Sequence, residues 1–246
     1  MKKLFTLVLA VVGLLSANAQ SSEGWSEGQD VTAELGLGDC DGTFSGSWKA
    51  NSYDGGDVSS IGDYWKGTMP NEFNDNGCLA FYNGGNAFPT LDIYQVVKVP
   101  AGVYTINVQS YYREGNPNDT FTNYRNGNPK KNAFLYASIL AGQDPESEVK
   151  RDFSTPIRSM ASSEQSEQLY TSGLGWASDG SNYILDAEGN KVTVWYPSCN
   201  IGTGAFFRAG KYWNSVSIIL VEDAYVRMGL RKIAAISEDY VPLYNF

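Results

Sequence analysis

Apolar residues in this chain come in short runs broken by Gly, Asn, Asp and Pro, and almost nowhere at a helical spacing. Leu91–Val99 is one such run; it ends at Pro100-Ala101-Gly102 and is followed at once by Val103–Tyr112, a pair that reads as a hairpin. Ala133–Leu140, Lys191–Tyr196, Ser215–Val221 and Tyr225–Lys232 read as further strands. Glu114–Lys131 and Gly142–Gly175 read as polar loops, with room for a helical turn or two at Ser162–Leu169. Between Gln20 and Phe88 turn signals are dense, as at Gly55-Gly56, Asn76-Gly77 and Asn83-Gly84-Gly85. No fixed-period repeat or linker interrupts the chain. The pattern predicts one all-β domain over residues 20–246, a sandwich of two antiparallel sheets with long loops, whose first part, residues 20–90, is loop-rich.

Because side chains alternate across a strand, each face can be read separately. In Val103–Arg113, Tyr104, Ile106, Val108, Ser110 and Tyr112 form a core face, while Thr105, Asn107, Gln109, Tyr111 and Arg113 form a face on which every member can hydrogen-bond. Alternation in Lys191–Tyr196 puts Val192, Val194 and Tyr196 inside and turns Trp195 outward. In the last strong strand Val226, Met228 and Leu230 point in, and Arg227 and Arg231 point out. If the outward rows share a sheet, they make a surface of Asn, Gln, Tyr, Trp and Arg. Such a surface suits a sugar, whose C–H face stacks on an aromatic ring and whose hydroxyls pair with amide and guanidinium groups. The plainer reading is an ordinary solvated face of a half-exposed sheet. Trp25, Trp48, Trp65, Trp176, Tyr212 and Trp213 fall in turns, where they either plug the ends of the core or serve as ligand platforms. Trp65 and Trp176, with polar neighbours, are the better platform candidates.

Residues 1–19 are expected to be removed. Lys2 and Lys3 precede a short apolar run, Leu4 to Leu15, and Ala17-Asn18-Ala19 is a cleavage site, so the chain reads as exported, secreted or periplasmic. The run is shorter than the roughly 18 residues of a membrane span, so no membrane insertion is expected. Loss of the two lysines takes the formal charge from −9 to −11. The charge is uneven: residues 20–80 hold 11 acids against Lys49 and Lys66, whereas residues 81–246 hold 16 acids and 14 bases. Such a balance argues against a nucleic-acid partner. The acidic third is either a solvated surface or the place for a structural calcium ion on the loops of Asp39, Asp41, Asp54 and Asp57; no other cofactor is expected. Cys40, Cys78 and Cys199 are an odd set in an oxidising compartment; a Cys40–Cys78 disulfide is the preferred pairing, and three reduced thiols the alternative.

The chain has no His, which removes triads with a His base and His-ligated zinc. Two enzyme chemistries stay open, a pair of carboxylates and a lyase site with Tyr as base and Arg as carboxylate clamp, but no short motif or spacing marks either, and Glu222-Asp223 falls in a turn.

Several stretches resemble the exported, galactose-binding-like β-sandwich domains of Bacteroidetes-type proteins, which often stand beside glycoside hydrolases or adhesive modules. They are Asp92-Ile93-Tyr94-Gln95, Val99-Pro100-Ala101-Gly102-Val103-Tyr104, Val108-Gln109-Ser110-Tyr111-Tyr112-Arg113-Glu114-Gly115, Asn132-Ala133-Phe134-Leu135-Tyr136-Ala137, Tyr196-Pro197-Ser198, Ala205–Asn214 and Met228-Gly229-Leu230-Arg231-Lys232. The resemblance implies a jelly-roll fold and non-catalytic carbohydrate binding, and carries no binding residues over. It departs at the end of the chain, where Tyr244 stands in place of an Asp and the chain stops at Phe246; the expectation is a short last strand and an open sheet edge. The function expected is therefore that of a carbohydrate-binding module, its partner a glycan or polysaccharide, with Asn107, Gln109, Tyr111, Arg113, Trp195, Trp65 and Trp176 as candidate ligand residues. The alternatives are a structural or adhesive module that binds other modules or cell-surface proteins, and a carbohydrate-active enzyme.

Overall fold

The structure, a computed structural model, describes residues 28–33, 35, 49–52, 79–81, 90–162, 171, 173–178, 180–234 and 236–246. Its first elements are β1 (Lys49–Ser52), β2 (Leu79–Phe81), β3 (Leu91–Val99), β4 (Gly102–Ser110), α1 (Pro117–Arg125), β5 (Ala133–Leu140) and β6 (Val149–Pro156). After them come β7 (Gly175–Ala177), β8 (Ile184–Leu185), β9 (Lys191–Val192), β10 (Trp195–Pro197), α2 (Asn200–Arg208), β11 (Trp213–Leu220), β12 (Ala224–Lys232) and β13 (Val241–Tyr244). Among the described residues the architecture is all-β in class: two main antiparallel sheets, ordered β1-β3-β12-β5-β6 and β11-β4-β13-β2, two small ribbons, β10-β7 and β8-β9, and two short helices.

The inward rows of both main sheets share one apolar layer. Ile93, Leu135 and Leu230 from the five-stranded sheet meet Val108, Val216, Val241 and Leu243 from the four-stranded one, all of them buried. Farther along, Val97, Val99, Ile139, Val226 and Met228 meet Ile218 and Leu220. β11 shows the alternation cleanly: Asn214, Val216, Ile218 and Leu220 are buried, and the residues between them are exposed.

The β3–β4 pair is not a hairpin. β3 pairs with β1 and β12, and β4 pairs with β11 and β13, so Pro100-Ala101-Gly102 carries the chain from one sheet to the other. The turn between β11 and β12 makes the same crossing, and Asp223 ties the two corners together by accepting from the Ala101 N–H at 3.1 Å. A turn of three residues suits either topology; the partner strands decide between them.

Both expected loops contain elements. Glu114–Lys131 holds α1, started by Asn116, whose side chain accepts from Asp119 N, and by Pro117 in the first turn. Gly142–Gly175 holds β6. Lys191–Tyr196 is not one strand but β9 and β10 with a break between them. The expected helical turns at Ser162–Leu169 lie, apart from Ser162, outside the described residues, as do the leader, Trp65, the Asp39, Asp41, Asp54 and Asp57 loops and the Cys40–Cys78 pair. The end of the chain is no open edge: β13 sits between β4 and β2.

Candidate functional site

Past Ser110 the chain leaves β4 and runs as Tyr111–Arg113 between two other segments. Tyr112 N donates to Arg158 O (2.8 Å) and Met160 N to Tyr112 O (2.9 Å) on one side. On the other, Arg113 N donates to Tyr240 O (3.0 Å) and Tyr240 N to Arg113 O (2.9 Å). Opposite this three-segment floor stand the β7–β10 ribbon, in which Trp176 pairs with Tyr196, and the start of α2. The space between is a groove of about 440 Å³ at one end of the sheets.

Its most exposed aromatic is Trp176, 51% accessible and held edge-on against Tyr196, with ring centroids 5.8 Å apart at 80°. Tyr196 is buried and packs in turn on Phe121 of α1, so the indole stands on a rigid base. Arg113 lies across the floor. Its Nε donates to Gly115 O (3.0 Å), its Nη2 to Glu238 O (3.1 Å), and its guanidinium lies 5.2 Å from the centre of the Tyr240 ring. Glu238, Asn116, Ser198 and Thr203 complete the polar lining. Thr203 shares a 2.8 Å hydrogen bond with the Tyr111 hydroxyl. Cys199, an exposed thiol, caps α2 by accepting from Gly202 N at 3.4 Å.

The loop carrying Glu238 is strained, because Glu238 adopts a left-handed φ of 62°. A buried ion pair anchors it. Lys232 Nζ lies 3.0 Å from Asp239 Oδ2, and both side chains are fully inaccessible. Asp239 also accepts from the Tyr112 hydroxyl (2.8 Å), Asn132 Nδ2 (3.1 Å) and Gly115 N (3.3 Å). Burial lowers the Lys232 pKa, opposed by the Asp239 charge, and drives the Tyr112 hydroxyl well above the usual phenol range. Glu114, beside this cluster, accepts from Lys130 N, and burial raises its carboxyl.

Of the expected ligand residues, Tyr111, Arg113 and Trp176 meet at this groove. The others do not. Asn107 is exposed on β4 and takes a 2.7 Å hydrogen bond from Ser215 Oγ, outside the groove. Gln109 is fully buried: its amide donates to Phe207 O (2.6 Å) and Lys211 O (2.8 Å) and accepts from Asn245 Nδ2 (2.7 Å). Trp195 is not turned outward but half-buried against an inner aromatic cluster that includes Phe206, Phe207 and Tyr212. The physical reason is α2, which covers the outer face of β4 from Gln109 onward and gives that stretch a second core. Asn116, Glu238, Ser198 and Thr203 escaped the sequence reading. The Asn116-Pro117 pair, a helix-start signature, was the local signal available for the first of them.

Among the described residues no group of three or more His, Cys, Asp or Glu side chains converges to hold a metal, and no helix is long and apolar enough to cross a membrane. No protein-family model matches the chain, and no curated protein does. Among solved structures the chain is similar to that of TmCBM61 in complex with beta-1,4-galactotriose, at 11% identity and a TM-score of 0.27, over 81% of this chain and 79% of that one. So slight a likeness transfers neither residues nor activity.

Proposed function

We propose that this chain is a non-catalytic carbohydrate-binding domain of an exported protein, built as a galactose-binding-like jelly-roll sandwich, which holds a glycan in the rim groove rather than on a sheet face. One observation carries the reading: Trp176 is half-exposed, braced by Tyr196, and faces a floor of fixed polar groups. An indole left in water is unfavourable unless something covers it, and the apolar face of a pyranose is such a cover. Arg113 and Asn116 supply donors for ring hydroxyls, Glu238 an acceptor, and Ser198 and Thr203 groups that do either. The pinning of Arg113 reduces the ordering cost of binding. A hydrolase would need two converging carboxylates, and Glu238 is the carboxylate among the described lining residues.

The test is a glycan array on the purified chain, followed by tryptophan fluorescence titration of each hit with the unaltered chain and Trp176→Ala. Binding with a fluorescence change that is absent in the variant is expected. Failure of every polysaccharide to bind, or full affinity in Trp176→Ala, would refute the proposal.

A second reading, a protein-interaction module, is favoured by the edge strand β11. There Ile219 (44% exposed) pairs across from Val103 (68% exposed). A stable homo-oligomer in light scattering that dissociates in Ile219→Lys would support it over the glycan reading.

A further inference from the structure

The cations of this acidic chain are not spread evenly. A second groove, of about 350 Å³, opens between the segment after α1 and the end of β6. Lys130, Lys131 and Arg158 line it, all three exposed, and its described lining contains no carboxylate. In a chain of net charge −9 that is a local inversion of sign. Among the described residues the acid close behind is Glu114, which accepts from Lys130 N and is buried. Apolar surface is present as well, from the Tyr124 ring, Pro129, Pro156 and the buried Ile157, while Ser159 adds a hydroxyl.

From this combination we infer a second binding site, one that takes an acidic saccharide, with the Lys130, Lys131 and Arg158 cations on its carboxylate or sulfate and its ring against Tyr124 and Pro129. The sign of the charge selects an anion. The apolar wall selects a ring with a C–H face over a bare inorganic ion. The net negative charge of the chain disfavours a long polyanion such as nucleic acid. The inference rests on the glycan reading only in the class of ligand; the site and its residues are separate from the rim groove.

The experiment is calorimetric titration of the full chain with trigalacturonate, with its neutral methyl ester and with a sulfated disaccharide. Three proteins are compared: the unaltered chain, the double variant Lys130→Ala/Lys131→Ala and Trp176→Ala. Both lysines are exposed, so equal melting temperatures are expected and are checked first. At least one anionic probe should bind at low salt, with an affinity that falls tenfold or more in the double variant and is unchanged in Trp176→Ala. It should also weaken steeply as sodium chloride is raised. Which probe binds separates carboxylate from sulfate. Equal binding of the methyl ester, unaltered affinity in the double variant, or failure of both anionic probes would overturn the inference. Should Trp176→Ala alone lose the acidic probe, the anion sits in the rim groove: this site falls and the rim reading stands. Acidic binding that depends on the lysines, without any neutral glycan hit, would leave this site standing and sink the other.

Discussion

Removing the Asp239 carboxylate is predicted to be among the most damaging single changes in the molecule. Asp239→Ala strips Lys232 of its counter-charge at a site where neither side chain touches solvent, and it takes the acceptor from the Tyr112 hydroxyl and Gly115 N and one of the acceptors of Asn132 Nδ2, which keeps the Ala234 carbonyl at 3.0 Å. Breaking a buried pair from one side costs about 3–5 kcal/mol, because an uncompensated charge is left behind. For a chain of this length that corresponds to a fall in melting temperature of about 6–20 °C. The molecule carries its own control. The Lys98–Asp223 pair is 3.7 Å apart with side chains 62% and 50% exposed, and Lys98→Ala should cost less than about 1 kcal/mol. Urea and thermal unfolding of both variants supply the numbers. Lys232→Met combined with Asp239→Asn should destabilise less than the sum of the single changes, by a coupling of about 0.5–3 kcal/mol. An Asp239→Ala variant no worse than Lys98→Ala would refute the reasoning, and with it the claim that this pair holds the strained Glu238 loop in place.

Two further outcomes are expected. At Gly229, which pairs with Tyr94 on one side and Tyr136 on the other, an added Cβ would collide with the Ile93 carbonyl. Gly229→Ala should therefore destabilise by about 1–3 kcal/mol, and a melting temperature within 1 °C of the unaltered chain, against the roughly 2–4 °C per kcal/mol expected, would contradict the strand spacing described. Burial raises the folded pKa of both Asp92 and Glu114, against opposing hydrogen bonds from Tyr136 and from Lys130 N respectively. A raised carboxyl binds its proton more tightly when folded, so its contribution to stability is full below the ordinary pKa and disappears as pH rises through the folded value. Melting temperature should accordingly rise as pH is lowered from neutral toward the ordinary carboxylate range, and Glu114→Gln should flatten part of that slope; a slope unaltered by the substitution would assign the effect elsewhere.

The strands with an uninterrupted apolar row were legible from sequence. Leu91–Val99 and Ala133–Leu140 have the bounds that alternation predicts, because each buries one face against the opposite sheet along its whole length. Long-range choices were not legible. A Pro-Ala-Gly turn serves a hairpin and a sheet-to-sheet corner equally well, and only the register of β12 against β3 settles which is built. Alternation also misled once a third layer was present. On β4 it holds through Asn107 and ends at Gln109, which α2 covers. That helix was hard to foresee, since Gly202 and Gly204 are poor helix formers. Gly202 is required there because a Cβ would run into the Leu174 carbonyl, two residues before Trp176. The last strand has Pro242 at its second residue, usually a mark of an edge. Here the β13–β4 ladder pairs Leu243 and Tyr244, leaving out Pro242, whose carbonyl instead accepts from the β4 side chain Ser110 Oγ at 2.7 Å. Two members of the expected polar surface, Tyr111 and Arg113, reach the groove because the chain beyond β4 is clamped between the 158–160 and 238–240 segments, an arrangement without a local signature.

Whether the rim groove binds a glycan through Trp176, as proposed, is decided by a fluorescence titration of the purified chain against its best array hit. A saturable change in tryptophan emission is expected, one that disappears, with the affinity, in Trp176→Ala, while the affinity persists in Asn107→Ala. Binding that survives the loss of Trp176 and is abolished by the loss of Asn107 would instead place the ligand on the sheet face.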